Sequence, residues 1–318
     1  MTDDHGEMKR VLSLSEVLVV CAICSIIGAV FFSVFGQIQN FKLQAYMSNM
    51  RLTGQGVKYY MSDFDDLWPM AMGTRPAPFY TWGYNQAYPV PADILDPASA
   101  NGSVWASSER QVMANSLWIN AFQPYFNDYS VFENPVATVS TNIGDEFVPN
   151  RFVPRPGIQM NGLLHSLNHG AINNPELVPA FWNVQKIVLR GRCFSSPALN
   201  CGGSSSGPTD CRFNPMGPPG PPASGTSGNS FILLFDFSTT AWQFGSRIVI
   251  GLADLSARVV PIGRTVEPGL AQPSSAFFDP WAQVNTNGVP AAIWTGDADC
   301  ANNQTNSYYC YFRPDRTR

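Results

Sequence analysis

Ser15-Glu-Val-Leu-Val-Val-Cys-Ala-Ile-Cys-Ser-Ile-Ile-Gly-Ala-Val-Phe-Phe-Ser-Val-Phe (15–35) decides the architecture of this chain. Residues 17–35 are nineteen in a row without a charge. At the helical rise they span roughly 28 Å, about the hydrocarbon thickness of a bilayer. One carboxylate, Glu16, stands at the mouth of the run. A charge at the centre of a membrane helix costs about 2.5–3.5 kcal/mol on an insertion scale, and less near the interface. Glu16 therefore has two readings: a charge tolerated at the interface, or a charge whose partner lies in another subunit. The run exceeds the ~7–15-residue core of a secretory signal, and no small-x-small cleavage site follows it.

Working outward, the helical pattern continues through residues 37–52 to about Ser62, with apolar positions at 38, 41, 45, 46, 50, 52, 57 and 60. The spacing predicts one helix of about fifty residues, roughly 75 Å long, apolar all round in its first half and amphipathic in its second. The second half then needs a domain to pack on. Gly54 and Gly56 weaken it locally. Lys9-Arg10 on the near flank, against no charge beyond the run until Lys42, puts the N-terminus in the cytoplasm.

Lys9-Arg10 followed by Val-Leu-Ser-Leu-Ser-Glu-Val-Leu-Val-Val (11–20) resembles the N-terminus of type IV pilins and type II secretion pseudopilins. The resemblance implies a leader (1–11) removed by a prepilin peptidase between Val11 and Leu12, with Leu12 methylated and Glu16 at the fifth mature position. Val11 stands where the family has Gly. It implies that Glu16 neutralises the N-terminal amine of a neighbouring subunit as helices leave the lipid for a filament. The implied layout is a transmembrane segment (12–36), an amphipathic helix half (37–62) and an extracytoplasmic head (63–318). The implied fold is α+β, with the long helix packed on an antiparallel sheet carrying long loops. Other pilin-like subunits, identical or different, and an assembly platform are the implied partners. The implied location is the inner membrane before assembly and a cell-surface filament or pseudopilus afterwards.

At 318 residues the chain holds one large or two modest domains. Charged residues make up 13%, about half the usual share, and only four of the nineteen basic residues are lysines (Lys9, Lys42, Lys58, Lys186). A net charge of −4 without a basic stripe argues against nucleic acid as a partner. A surface rich in Asn, Ser, Thr, Pro and aromatics has an extracytoplasmic character.

Further pieces of the head extend the resemblance. Tyr-Tyr-Met-Ser-Asp-Phe-Asp-Asp-Leu-Trp-Pro (59–69) resembles the Tyr-x-x-Asp-Tyr-Asp-Gly-x-x-Pro segment that closes the long helix in a pseudopilin-like group. Pro69 ends helical structure there, and Asp63, Asp65 and Asp66 bond backbone groups at the turn or hold a cation. Residues 70–110 read as loop, 111–127 as a helix and 185–190 as a strand. Val-Phe-Glu-Asn-Pro (131–135) resembles Val-Phe-x-Cys-Pro with Asn134 replacing Cys, and residues 157–164 resemble a Tyr-x-Met-Asn-x-x-Leu element. Apolar runs at 230–237, 247–253 and 257–262 read as strands, the last two joined by a turn at Asp254-Leu-Ser. That piece resembles the His-x9-Asp-Gly hairpin, with Phe244 at the His position, Asp254 retained and Leu255 at the Gly position. Leu there predicts a turn other than the positive-φ type. The Gly/Ser/Pro-rich residues 202–229 read as a surface loop.

Chemistry-bearing residues are few. Cys21 and Cys24 lie in the apolar run as small apolar residues. Cys300 and Cys310 resemble the disulfide-closed C-terminal loop of many pilins, and Cys201 is paired with Cys211, leaving Cys193 free. His165 and His169 would share one face if helical, but the metalloprotease Glu is absent, with Ser166 in its place. Asp297, Asp299, Asn302 and Asn303 offer hard oxygen ligands suited to calcium, which some pseudopilins hold nearby. No nucleophile elbow, phosphate loop or dinucleotide fingerprint occurs, so no catalysis is expected, and calcium is the one cofactor in view. The rival reading is an uncleaved, membrane-anchored binding module whose aromatics Trp68, Tyr80, Trp82, Tyr84 and Tyr88 hold a glycan or another cell-surface ligand.

Overall fold

A computed structural model describes residues 13–74, 82–85, 87–96, 107–126, 128–139, 147–184, 187–188, 190–195, 199, 212–213, 244, 247–261 and 312–316. By compactness the chain divides into Met1–Gln44 and Ala45–Arg318.

The first unit is dominated by the start of helix α1 (Leu14–Asp63). Val17, Leu18, Val19 and Val20 are all exposed. Four successive residues turn through a full circle of the helix, so the apolar surface has no sheltered side. Such a surface suits lipid, where the helix satisfies its own backbone groups. Among the described residues α1 is long and apolar enough to cross a membrane, as a single-pass anchor would.

The second unit takes residues 45–63 of α1. It continues with strands β1 (Gly73–Thr74), β2 (Trp82–Asn85) and β3 (Ala87–Pro89), then helices α2 (Ser108–Ser116) and α3 (Trp118–Ala121). Strands β4 (Thr138–Val139), β5 (Ile158–Met160), β6 (Pro179–Asn183), β7 (Ile187–Val188) and β8 (Arg192–Ser195) follow, then β9 (Arg247–Leu252) and β10 (Ala257–Pro261). The main sheet runs β10-β9-β6-β5-β8-β3. Its pairings are antiparallel except β5 with β8. The head is therefore α+β with a mixed sheet, not the antiparallel one expected; β8 enters beside β5 in the parallel sense. Separately, β4 and β7 pair in parallel.

In this half of α1, Tyr46, Met50, Thr53, Val57 and Met61 are buried, a stripe at helical spacing. Tyr46 donates to the carbonyl of Gly157 (3.2 Å) and stacks on Phe244 (5.3 Å between centroids). Met50 lies against Gly251 of β9, where a Cβ would meet its side chain at 3.1 Å. One turn on, a Cβ at Gly54 would lie 2.8 Å from the carbonyl oxygen of Leu255. The missing side chains let the β9–β10 hairpin lie directly on the helix.

The hairpin loop has three residues, and the third, Leu255, sits at φ +68°. Leu255 N–H donates to the Leu252 carbonyl, and Leu252 N–H to the Ser256 carbonyl. This is the three-residue loop that ends in a left-handed position, usually Gly. The sequence expectation of another turn type is thus corrected: the loop keeps the positive φ and Leu255 bears the strain, about 1–2 kcal/mol for an L-residue. Asp254 Oδ1 accepts Ser256 N–H (2.9 Å) and holds the loop.

Helix α1 ends at Asp63, well before Pro69. Asp66 N–H reaches back to the Met61 carbonyl, and Asp65 and Asp66 take φ of 52° and 59°, a left-handed stop. The helix expected over 111–127 starts earlier and breaks. Ser107 caps α2, accepting Arg110 N–H, and Leu117 is extended where its backbone bridges Met70. A long-range pairing thus overrides local helical preference. The span 70–110, expected as loop, contributes β1–β3 and the first three residues of α2. Of the strand expected over 185–190, Ile187–Val188 forms β7. Residues 202–211 and 214–237 lie outside the described residues.

The core is aromatic. Trp118 packs on Phe122, Phe132 and Phe181, with ring centroids 5.9, 5.8 and 5.4 Å away. Asn161 ties chain segments together, accepting Leu163 N–H and donating to the carbonyls of Pro179 and Phe312 (2.8 Å each). There Phe312 packs on Trp182, and Arg313 and Asp315 form a buried two-pronged ion pair (2.8 and 2.7 Å).

Two substitutions test the hairpin seat. Gly54→Val should lower the stability of the head by about 1–3 kcal/mol, the usual cost of overpacking. Leu255→Gly should raise it by up to about 1 kcal/mol, as relieved strain exceeds glycine's entropy. Denaturant unfolding of the full chain in detergent measures both.

Candidate functional site

The start of α1 is a reciprocal cap. Ser13 N–H and Ser13 Oγ–H both donate to Glu16 Oε2 (2.8 and 3.0 Å), and Glu16 N–H donates back to Ser13 Oγ (3.4 Å). This is the Ser-x-x-Glu capping box, whose side chains satisfy amides that a helix leaves unpaired at its start. The pattern Ser13-Leu-Ser-Glu16 is legible in the sequence, yet reading Glu16 against its charge alone passes over it. Both bonds to the carboxylate use Oε2; among the described residues Oε1 has no partner and no cation lies beside Glu16. The cap satisfies hydrogen bonds but does not neutralise the charge. The exposed thiols of Cys21 and Cys24 are free in the same helix.

The resemblance motifs of the head fall into one packed cluster. Phe244, at the His position, stacks on Tyr46 and supplies apolar contact in place of imidazole. Asn134, at the Cys position, is buried and accepts Val136 N–H (3.1 Å). A Cβ at Gly157 would collide with the backbone nitrogen of Asn134 at 2.5 Å, and Gly157 N–H donates to the Phe132 carbonyl. These motifs build the frame against which α1 lies.

His165 and His169 do not share a helix. His165 follows a short turn at Gly162–Leu164, Ser166 takes φ 49°, and His169 begins the next turn. The buried Nδ1 of His165 accepts the amides of Ala71 and Met72 (3.0 and 3.3 Å). His169 packs beside Trp68 (6.2 Å). No group of three metal-ligating side chains occurs among the described residues. Asp63 Oδ2 accepts the Tyr125 hydroxyl (2.6 Å), while Asp65 and Asp66 use backbone carbonyls toward Asn168 and His169. These three residues shape a turn.

Of the aromatics considered for ligand binding, Trp68 (1% exposed) and Tyr88 (0%) fill the core. The Tyr88 hydroxyl bonds the Ala71 carbonyl and Ser195. Trp82 and Tyr84 lie in β2, and Tyr80 is outside the described residues. A different set of rings lines a cleft of about 500 Å³ at the end of α1: Tyr60, Phe64, Tyr125 and Tyr129. Asp63, Asp93, Asn115, Ser116, Asn120 and Gln123 add polar groups to its lining. Burial, with Asp63 beside it, pushes the Tyr125 hydroxyl up to about 12, so it stays a donor to Asp63. No local pattern marks this cleft, because Asp63 and Tyr125 are 62 positions apart.

Cys193 is buried with a free thiol, pushed upward by burial. Val11, Leu12, Cys201, Cys211, Cys300, Cys310, Asp297, Asp299, Asn302 and Asn303 lie outside the described residues. No protein-family model, curated protein or solved structure matches the chain.

Burial, and then Arg212, push His165 down to about 3 from an ordinary 6.5. The folded imidazole stays neutral while the unfolded chain binds a proton below about pH 6.5. Stability is complete above that pH and falls as pH drops toward 3, by up to about 1.4 kcal/mol per pH unit from this group. His165→Gln, whose amide oxygen can accept the same two amides, should flatten that loss in urea titrations between pH 7 and pH 4.

Proposed function

We propose that the chain is a pilin-like structural subunit that assembles through its N-terminal helix into a filament or pseudopilus and performs no catalysis. The observation that carries this reading is Glu16 in the first turn of a helix whose apolar surface is exposed on every side. Packing against copies of itself or against related subunits gives that surface a destination other than lipid. The resemblance at residues 9–20 supplies the counter-charge, a neighbour's Leu12 amine freed by cleavage after Val11.

Magnitudes separate capping from pairing. A helix cap contributes about 1 kcal/mol, and Gln fills the third position of a capping box as Glu does. A carboxylate left unpaired in a low-dielectric bundle costs about 3–5 kcal/mol. The helix dipole and the two Ser13 donors favour a carboxylate in the first turn by about 0.3–1 kcal/mol, less than the cost of leaving it unpaired in a bundle, so pairing is what offsets that cost. Left-handed Leu255, Asn161 and the seat of the hairpin on α1 are further support from the head. In this reading the precursor sits in the inner membrane with its N-terminus in the cytoplasm. Prepilin peptidase and an assembly platform then pass it to a surface polymer.

Glu16→Gln keeps the cap and removes the charge. It should leave membrane insertion intact and lower assembled material about a hundredfold or more. Ser13→Ala removes the cap, keeps the charge and should change the yield only a few-fold. Unchanged polymer in Glu16→Gln, seen by electron microscopy of sheared surface material, would defeat the pairing role. Sequencing of the assembled form should begin at Leu12; a start at Met1 would favour a membrane-anchored binding module instead.

A further inference from the structure

We propose that the cleft at the end of α1 is a binding site for a neutral oligosaccharide. The proposal concerns the head alone and holds whether or not the helix assembles. The cleft, about 500 Å³, falls in the range of small-ligand sites.

Its walls are largely fixed in advance. Tyr60 in the last turn of α1 and Phe64 just beyond its end stack with ring centroids 4.2 Å apart. Tyr60 is braced edge-on by Phe122 (6.1 Å), and Tyr125 stacks on Tyr59 (6.2 Å). Beneath them Asn120 is buried and donates to the carbonyls of Pro89 and Ala114 (3.0 and 2.8 Å), fixing the floor to the neighbouring strand and helix. Rings held this way lose little freedom when a ligand arrives, which lowers the entropic cost of binding.

The polar complement selects the ligand class. Among the described residues the lining includes carboxylates at Asp63 and Asp93 and amides at Asn115 and Gln123, but no Lys, Arg or His. Anions, including sulfated and sialylated sugars, meet two carboxylates and no counter-charge. A sugar ring presents an apolar C–H face to aromatic faces of negative potential, and vicinal hydroxyls that both donate and accept. Carboxylates accept from such hydroxyls, while amides and tyrosine hydroxyls do both. Asp63 is oriented for this: Oδ2 accepts the Tyr125 hydroxyl, and Oδ1 has no protein partner among the described residues. A quaternary ammonium would use the rings and carboxylates and leave the amide donors idle. The full set fits a polyol better.

The test uses the full-length chain in a detergent without a sugar headgroup. Saturation-transfer NMR and calorimetry are run against cellotriose, maltotriose, chitotriose and galactotriose, with choline and sialyllactose as contrasts. At least one neutral trisaccharide should bind with a Kd of about 1 mM or tighter. Tyr125→Ala, and separately Asn115→Ala with Gln123→Ala, should weaken binding at least about tenfold with an unchanged melting midpoint. The last two residues are exposed, so that variant stays informative if Tyr125→Ala fails to fold. Glu16→Gln should bind like the natural chain. No binding of any neutral trisaccharide up to about 10 mM, undiminished binding in both cleft variants, or binding of choline or sialyllactose alone would overturn the proposal.

Discussion

The carbonyl oxygen of Leu255 rests on helix α1 at Gly54, and the order of the head follows from that approach. A helix can lie this close to a hairpin loop only where no side chain intervenes, and the chain meets the condition twice, at Gly54 and at Gly251 under Met50. The hairpin is the edge of the main sheet, so the seat fixes where the sheet lies along the helix. Phe244 on Tyr46, and Gly157, whose carbonyl accepts the Tyr46 hydroxyl, extend the contact to the segment that leads into β5. Leu255 in the left-handed region stores strain that this packing offsets.

Glu16 satisfies two demands at once. One oxygen completes a cap that any helix start would use, while the net charge is left over. Inside a membrane or a helical bundle a hydrogen-bonded but unneutralised carboxylate remains expensive. The cap holds the carboxylate at the first turn, where the proposed pairing requires it. Under the proposed function, capping and assembly would be compatible roles of the same side chain, separated by what each needs: a hydrogen-bond acceptor for one, a charge for the other.

Much of the helix was legible because its information is local. Apolar periodicity placed its end near Ser62, and the structure ends it at Asp63 through left-handed Asp65 and Asp66. Strands β9 and β10 were equally readable as apolar runs around a short turn. The misses are long-range. Leu117 breaks a locally plausible helix because its backbone bridges Met70. Trp68 and Tyr88 look like ligand platforms until the sheet closes over them. Leu255 accepts a glycine conformation because the helix beneath demands that loop. His165 and His169 keep the spacing of a metal pair but not the helix that spacing needs. The cleft rings are gathered from distant segments by folding alone.

In the proposed assembly the charge on Glu16 is met by a second copy, and a distance between labels on two copies tests that contact. Polymer would be grown from a mixture of copies carrying 15N at Leu12 and copies carrying 13C at the Glu16 carboxyl, and examined by solid-state NMR. The expected result is a dipolar coupling corresponding to about 4 Å between the two labels, which only contact between copies can produce. Absence of that coupling in well-ordered polymer would contradict it.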